Sequence, residues 1–202
     1  MKIRQKITGT ADGRGYVLMA ALAFFHFVFL GTEYLFDDMM ALVTEPARVV
    51  TAQGYVLGAS VLGFLLYPAV VSGMERKRER AVADLHTIRG TGGMLPVFAG
   101  ALAGIICIFV MWQHASYGML LIAGCLCFIL LGMGGSAVHY GLSLAVKERY
   151  LAKTVGVSYG VGICLQFLNH QLVQNDMAES VVLAVSTAVF AVLLLRADIG
   201  QE

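Results

Sequence analysis

The chain reads as an all-α, polytopic membrane protein, and three observations lead there. Hydrophobic residues make up 58% of its 202 residues and charged residues only 13%, whereas a soluble domain is about half apolar and about a quarter charged. The apolar residues gather into six runs of about the 20 residues that a helix needs to cross a bilayer. Thirteen of the fourteen basic residues fall on one side of those runs when the runs are threaded alternately. The net charge of +1 carries no information, because the charges are segregated along the chain.

The first run, roughly residues 16–40, follows a basic stretch with Lys2, Arg4, Lys6 and Arg14. It is longer than a signal-peptide core and no small-residue cleavage site follows it, so it is read as a spanning helix. The second, about 49–73, carries Gln53, Tyr55 and Ser60 together with small-residue pairs four apart, Gly54 with Gly58 and Ala59 with Gly63. Gly100 and Gly104 repeat that spacing in the third run, about 91–113, and Gly156 and Gly160 in the fifth, about 154–174. Small residues let helix backbones approach closely where lipid supplies no hydrophobic drive. The third and sixth (about 180–197) runs carry almost nothing polar and are expected at the lipid-facing periphery. Trp112 ends the third run as an interfacial anchor. Met39 and Met40 are expected to fill gaps. The four cysteines lie inside apolar runs, and Cys125 and Cys127 point to different helix faces, so they are read as packing residues and not as metal ligands.

The basic side holds the N-terminal stretch, then Arg76, Lys77, Arg78, Arg80 and Arg89, then Lys147, Arg149 and Lys153, and finally Arg196. The other side holds Arg48 beside Asp37, Asp38, Glu45, Asp176 and Glu179. The positive-inside rule then places both termini in the cytoplasm, in a cytoplasmic membrane of bacterial inner-membrane type. An odd number of spans would mix the charges. Six spans in one domain, residues 1–202, is the expected architecture.

The fourth run, about 116–144, leads into the most informative stretch, residues 132–153, GMGGSAVHYGLSLAVKERYLAK. Ser136, His139, Tyr140 and Ser143 fall at i, i+3, i+4 and i+7 and form one polar stripe on a helix. In lipid such a stripe must face protein or a water-filled cavity. A basic hairpin with Lys147 and Arg149 follows.

This block, with the basic segment 76–80, resembles the major facilitator superfamily, as one six-helix half. In that family a glycine-rich fourth helix runs into a short basic cytoplasmic loop and then a fifth helix rich in small residues. The resemblance implies a cavity lined by the first and fourth helices, and Arg76, Lys77, Arg78, Lys147 and Arg149 as gating-loop residues. The family's loop motif is a glycine, Asp-Arg, and Gly-Arg-Lys; here Gly73-Met74-Glu75-Arg76-Lys77-Arg78 lacks the aspartate and the second glycine. The glycine-proline pair of proton-drug antiporters is absent from the fifth run. A full member has two such halves related by an axis along the membrane normal. Two parallel copies of this chain would supply both, as a homodimer about a two-fold axis. The chain is otherwise one half of a longer protein.

Three groups of residues carry candidate chemistry. His26 and Glu33 share a face of the first helix with Asp37, and an intramembrane carboxylate is a functional candidate by default, here a proton carrier. Asp37 and Asp38 themselves are expected in the outer loop. The second group is the stripe on the fourth helix, with His139 able to titrate and Tyr140 able to donate to a bound solute. The third is Gln166, Asn169 and His170 on the fifth helix, with Tyr159 below; Gln166 is the deeper ligand candidate. Gln53 adds a polar group from the second helix.

No phosphate-binding Gly-Lys-Ser/Thr loop, His-Glu-x-x-His helix or Gly-x-Ser-x-Gly elbow occurs. The chain is therefore expected to be neither a primary pump nor an enzyme, and to need no cofactor or metal. The basic segment 76–80 is explained by anionic lipid and not by nucleic acid. The expected function is secondary transport of a small polar or amphipathic organic solute. The alternative from another class is a membrane sensor domain that binds a ligand without moving it.

Overall fold

The computed structural model describes residues 13–84, 94–113 and 116–199. They form six helices: α1 Gly13–Val43, α2 Pro46–Asp84, α3 Met94–Trp112, α4 Tyr117–Ala145, α5 Glu148–Leu172 and α6 Asp176–Ile199. No strand occurs among the described residues. Lys2, Arg4, Lys6 and Arg89 lie outside them. Five helices are long and apolar enough to cross a membrane, and the apolar part of α3 is Pro96–Trp112, at the short limit of about 17 residues for a span. The chain is an integral membrane protein.

Two helices run further than hydropathy alone suggests. α1 continues to Val43, so Asp37 and Asp38 are helical and not loop residues. α2 starts on Pro46, where a missing N–H costs nothing, passes through Pro68 and ends only at Asp84. Residues 76–80, expected as a loop, are thus turns of a continuous helix. The reason is local: residues 74–84 are mostly Glu, Arg, Lys and Ala, strong helix formers with no glycine or proline among them. Arg76, Lys77 and Arg78 therefore do not sit in a loop. Between α4 and α5 only Val146 and Lys147 remain, and Arg149 lies in the first turn of α5, its guanidinium over the Tyr150 ring at 4.5 Å.

The helix starts on the opposite side are built by side-chain caps. Ser116 Oγ accepts from the Met119 amide at 3.3 Å to open α4. Asn175 Oδ1 accepts from the amides of Met177 and Ala178, at 2.9 and 3.2 Å, to open α6. Each cap satisfies amides that the first helical turn leaves without partners.

Packing centres on α1, which lies against α4, α5 and α6, while α2 lies on α4 and α3 bridges α4 and α6. This packing has an internal symmetry. Exchanging α1, α2, α3 for α4, α5, α6 turns the α1–α5 contact into α4–α2, and α1–α6 into α4–α3; α1–α4 and α3–α6 map onto themselves. The small α1–α2 contact likewise maps onto α4–α5, and only the minor α1–α3 contact lacks a counterpart of similar extent.

The glycines that make close approach possible are few. A methyl group at Gly63 would overlap the Ile129 carbonyl, and one at Gly132 would overlap the Ser60 carbonyl, so α2 and α4 meet backbone to backbone. A methyl at Gly162 would stand 2.7 Å from the Ala23 carbonyl oxygen and 2.7 Å from the His26 Cβ, which seats α5 on α1. By contrast Gly54, Gly58, Gly100, Gly156 and Gly160, expected to pack, meet nothing within 4 Å, and Gly104 has only Thr187 at 3.9 Å.

Burial also departs from the polarity ranking. Over their most apolar windows α5 is 17% buried and α2 22%, against 44% for α6 and 56% for α1. The helices with the most open surface are thus α2 and α5, and α6 is no more peripheral than α4. Apolarity alone does not locate a helix in a bundle, because lipid and helix core are equally apolar. Met39 and Met40 are fully buried in the core, with Phe36, Phe128, Leu142 and Leu183.

Candidate functional site

Two polar clusters stand out, one midway along the helices and one near their outer ends. The central cluster pairs His26 of α1 with His139 of α4, ring centroids 6.5 Å apart. Tyr159 of α5 meets His26 edge-on at 4.8 Å. Phe64 of α2 lies 5.6 Å from His139, and Phe25 lies 5.2 Å from His26 and 6.5 Å from His139. Each imidazole is held by its own helix: Nδ1 of His26 lies 2.8 Å from the Leu22 carbonyl and Nδ1 of His139 lies 2.7 Å from the Gly135 carbonyl. A carbonyl only accepts, so both Nδ1 atoms carry the hydrogen and Nε2 is left to accept from a solute. The two histidines come from sequence positions more than a hundred apart, and both were singled out from sequence.

The remainder of the expected stripe divides. Ser136 is buried, His139 half-buried, and Tyr140 and Ser143 exposed. Ser143 Oγ donates to the Tyr140 carbonyl at 2.7 Å, within its own helix. The stripe is therefore not one surface: its Ser136 end is packed and its Ser143 end leaves the bundle. Beside it a shallow apolar groove is lined by Phe25, Phe29, Ser60, Phe64 and Gly132 among others.

The outer cluster joins α1, α5 and α6. Gln166 is 1% exposed, Thr32 0%, Asn169 9% and Glu179 4%. Gln166 Nε2 donates to Glu179 Oε1 over a long 3.5 Å. Four side-chain atoms toward this end of the bundle are buried with no hydrogen-bond partner: Thr32 Oγ1, Asp37 Oδ1, Gln166 Oε1 and Asn169 Nδ2. Gly31 makes room for the carboxamide, since a methyl there would stand 2.9 Å from Gln166 Oε1 and overlap Leu183. Nearer the surface Tyr34 faces His170, ring centroids 5.3 Å apart. Gln53 Nε2 donates to Asp37 Oδ2 and fastens α2 to α1 at their outer ends. Glu33, the expected intramembrane carboxylate, is only half-buried.

Glu179 and Thr32 were not singled out from sequence; Glu179 was placed with the outer-side charges. Glu179, Leu183, Ser186 and Phe190 recur at i, i+4, i+7 and i+11 on one helix face, and all four are buried.

Among the described residues no group of three or more histidine, cysteine, aspartate or glutamate side chains is placed to hold a metal ion. Cys127 is buried, with its thiol 3.9 Å from the Gly104 carbonyl, while Cys164 is exposed. Comparison of the chain with family models, with curated proteins and with solved structures returns no match.

Proposed function

We propose that this chain is a six-span, major-facilitator-like half that moves a small polar or amphipathic organic solute, working as a parallel homodimer. The observation that carries this reading is the symmetry of the helix packing. A three-plus-three arrangement in which α1 and α4 exchange roles is what an inverted repeat produces, and such repeats build the six-helix halves of that family. α2 and α5, which also exchange, hold the most open surface, so a second copy has a matching pair of helices to meet. His26, His139 and Tyr159 gather where α1, α4 and α5 converge, and supply acceptors and aromatic edges to a solute at mid-depth. Transport would then follow from rocking of the two copies about that level.

The arrangement is tested by cross-linking. Gly54 on α2 lies eight residues from Pro46 and Cys164 on α5 lies eight residues from Leu172, about 12 Å below the outer helix ends at 1.5 Å per residue. Both are exposed. In a parallel dimer that joins α2 to α5, Gly54→Cys is expected to form an oxidative dimer with Cys164 of a second copy in lipid. Cys164→Ser in the same background should abolish it. A monomer under both conditions would overturn the homodimer. Solute uptake into proteoliposomes separates the activities: specific binding without uptake would leave the sensor reading in its place.

A further inference from the structure

We infer that Glu179 is a proton-binding site sealed in the outer part of the bundle, with Gln166 as the residue that accommodates both of its charge states. Glu179 is 4% exposed. Among the described residues its carboxylate has one hydrogen bond, the long one from Gln166, and no lysine, arginine or histidine forms an ion pair with it. The groups within electrostatic reach are Asp38 on α1, His170 on α5 and Asp176 on its own helix; α3, which also packs on α6, carries no charged residue. Two carboxylates and one imidazole provide no fixed positive charge for a buried anion. A buried carboxylate without a cation is costly to hold as an ion, and a proton removes that cost. A metal ion would need several oxygen ligands, and among the described residues no group of three or more acids, imidazoles or thiols is placed to hold one.

The Gln166 carboxamide fits a site that holds either charge state. With Glu179 ionised, Gln166 Nε2 donates to it and Oε1 is left buried and without a partner. With Glu179 protonated, half a turn of the carboxamide brings Oε1 to the carboxyl hydrogen and carries Nε2 to the place Oε1 held, so the pair keeps its hydrogen bond in both states. The amide has one donor group and one acceptor, so the same two residues serve either state. Gly31 keeps the space in which the carboxamide turns. Thr32, with its own unpartnered hydroxyl, is the next polar group along α1.

As the coupling site of a carrier this inference rests on the proposed function, but proton binding itself is measurable without any transport. The test is infrared spectroscopy of the intact chain in lipid nanodiscs, titrated in pH. The expected result is a protonated-carboxyl band at neutral pH that bleaches as pH rises, is lost in Glu179→Gln and persists in Glu33→Gln. In Gln166→Leu the band should shift toward that of a carboxyl with no hydrogen-bond acceptor. Absence of the band in the wild-type chain, or its survival in Glu179→Gln, would overturn the inference. A second measurement needs no variant: a membrane-permeant carbodiimide, which attacks protonated carboxyls, should label Glu179 in the wild-type chain, with labelling falling as pH rises. An adduct on Glu33 and none on Glu179 would also overturn it. If the spectra behave as expected while uptake fails, the proton site stands and the carrier reading falls.

Discussion

The central and outer polar clusters use similar side chains in opposite settings. At the centre, His26 and His139 are half-buried, each already satisfied at Nδ1 by a carbonyl of its own helix. Near the outer ends, Thr32, Gln166 and Glu179 are sealed, yet four polar atoms there have no partner. An open cluster with satisfied anchors is free to meet a solute. A closed cluster with idle donors and acceptors is costly as it stands and is suited to something as small as a proton. The difference lies in which helix covers the residues: α6 closes over the outer group, whereas α2 and α5 leave the central one at an open face.

Four substitutions sharpen or break that contrast. The largest effect is expected from Gly132→Leu, which forces a side chain into the Ser60 backbone where α2 and α4 touch. Overpacking typically costs about 1–3 kcal/mol, and backbone on both sides leaves little room for relief. Thermal unfolding in detergent should show a collapse of stability, while Gly58→Leu, with open space around it, should leave the monomer's unfolding unchanged. Equal stability of the two variants would mean that α2 and α4 are not in backbone contact.

Gln166→Leu comes next. It removes the hydrogen-bond partner of a buried carboxyl, a loss of about 1–3 kcal/mol when the remaining group is left unsatisfied. The same unfolding measurement should show a clear drop, and Gly31→Ala should lower stability in the same direction by displacing the carboxamide. An unchanged midpoint for both would show that the outer cluster is wet.

His26→Gln is expected to do little to unfolding, because the bond it loses runs to its own helix four residues back. Its effect should appear in function, as weaker solute binding or uptake. A stability loss as large as that of Gln166→Leu would place His26 with the structural residues. The smallest effect should come from Gln53→Leu, since Asp37 at its half-exposed position can exchange the amide for water. A slight fall in the unfolding midpoint is expected, and a fall rivalling Gln166→Leu would show that the α1–α2 outer contact is sealed.

Much of the site was legible before any coordinates. His26, His139, Gln166 and Asn169 stood out as polar groups on otherwise apolar helices, and each has a defined place in the two clusters. Tyr140 and Ser143 shared the helical face of Ser136, but spacing along one helix cannot tell where the neighbouring helix ends. Glu179 looked like a surface charge because it sits in the first turn of α6, beside Asp176. Its burial depends on α1 and α5 covering that turn, which no local pattern records.

The sequence by itself determined the class of the molecule: helices of membrane length, a one-sided distribution of basic residues, and a small set of polar groups inside apolar runs. Those follow from composition and from the cost of placing charge and bare backbone in lipid. Only the tertiary structure decided which glycines pack, which helices stay open, and which carboxyl is sealed. In a bilayer those choices rest on helix-to-helix shape at the ångström scale, because the hydrophobic effect that sorts inside from outside in a soluble protein has nothing to distinguish.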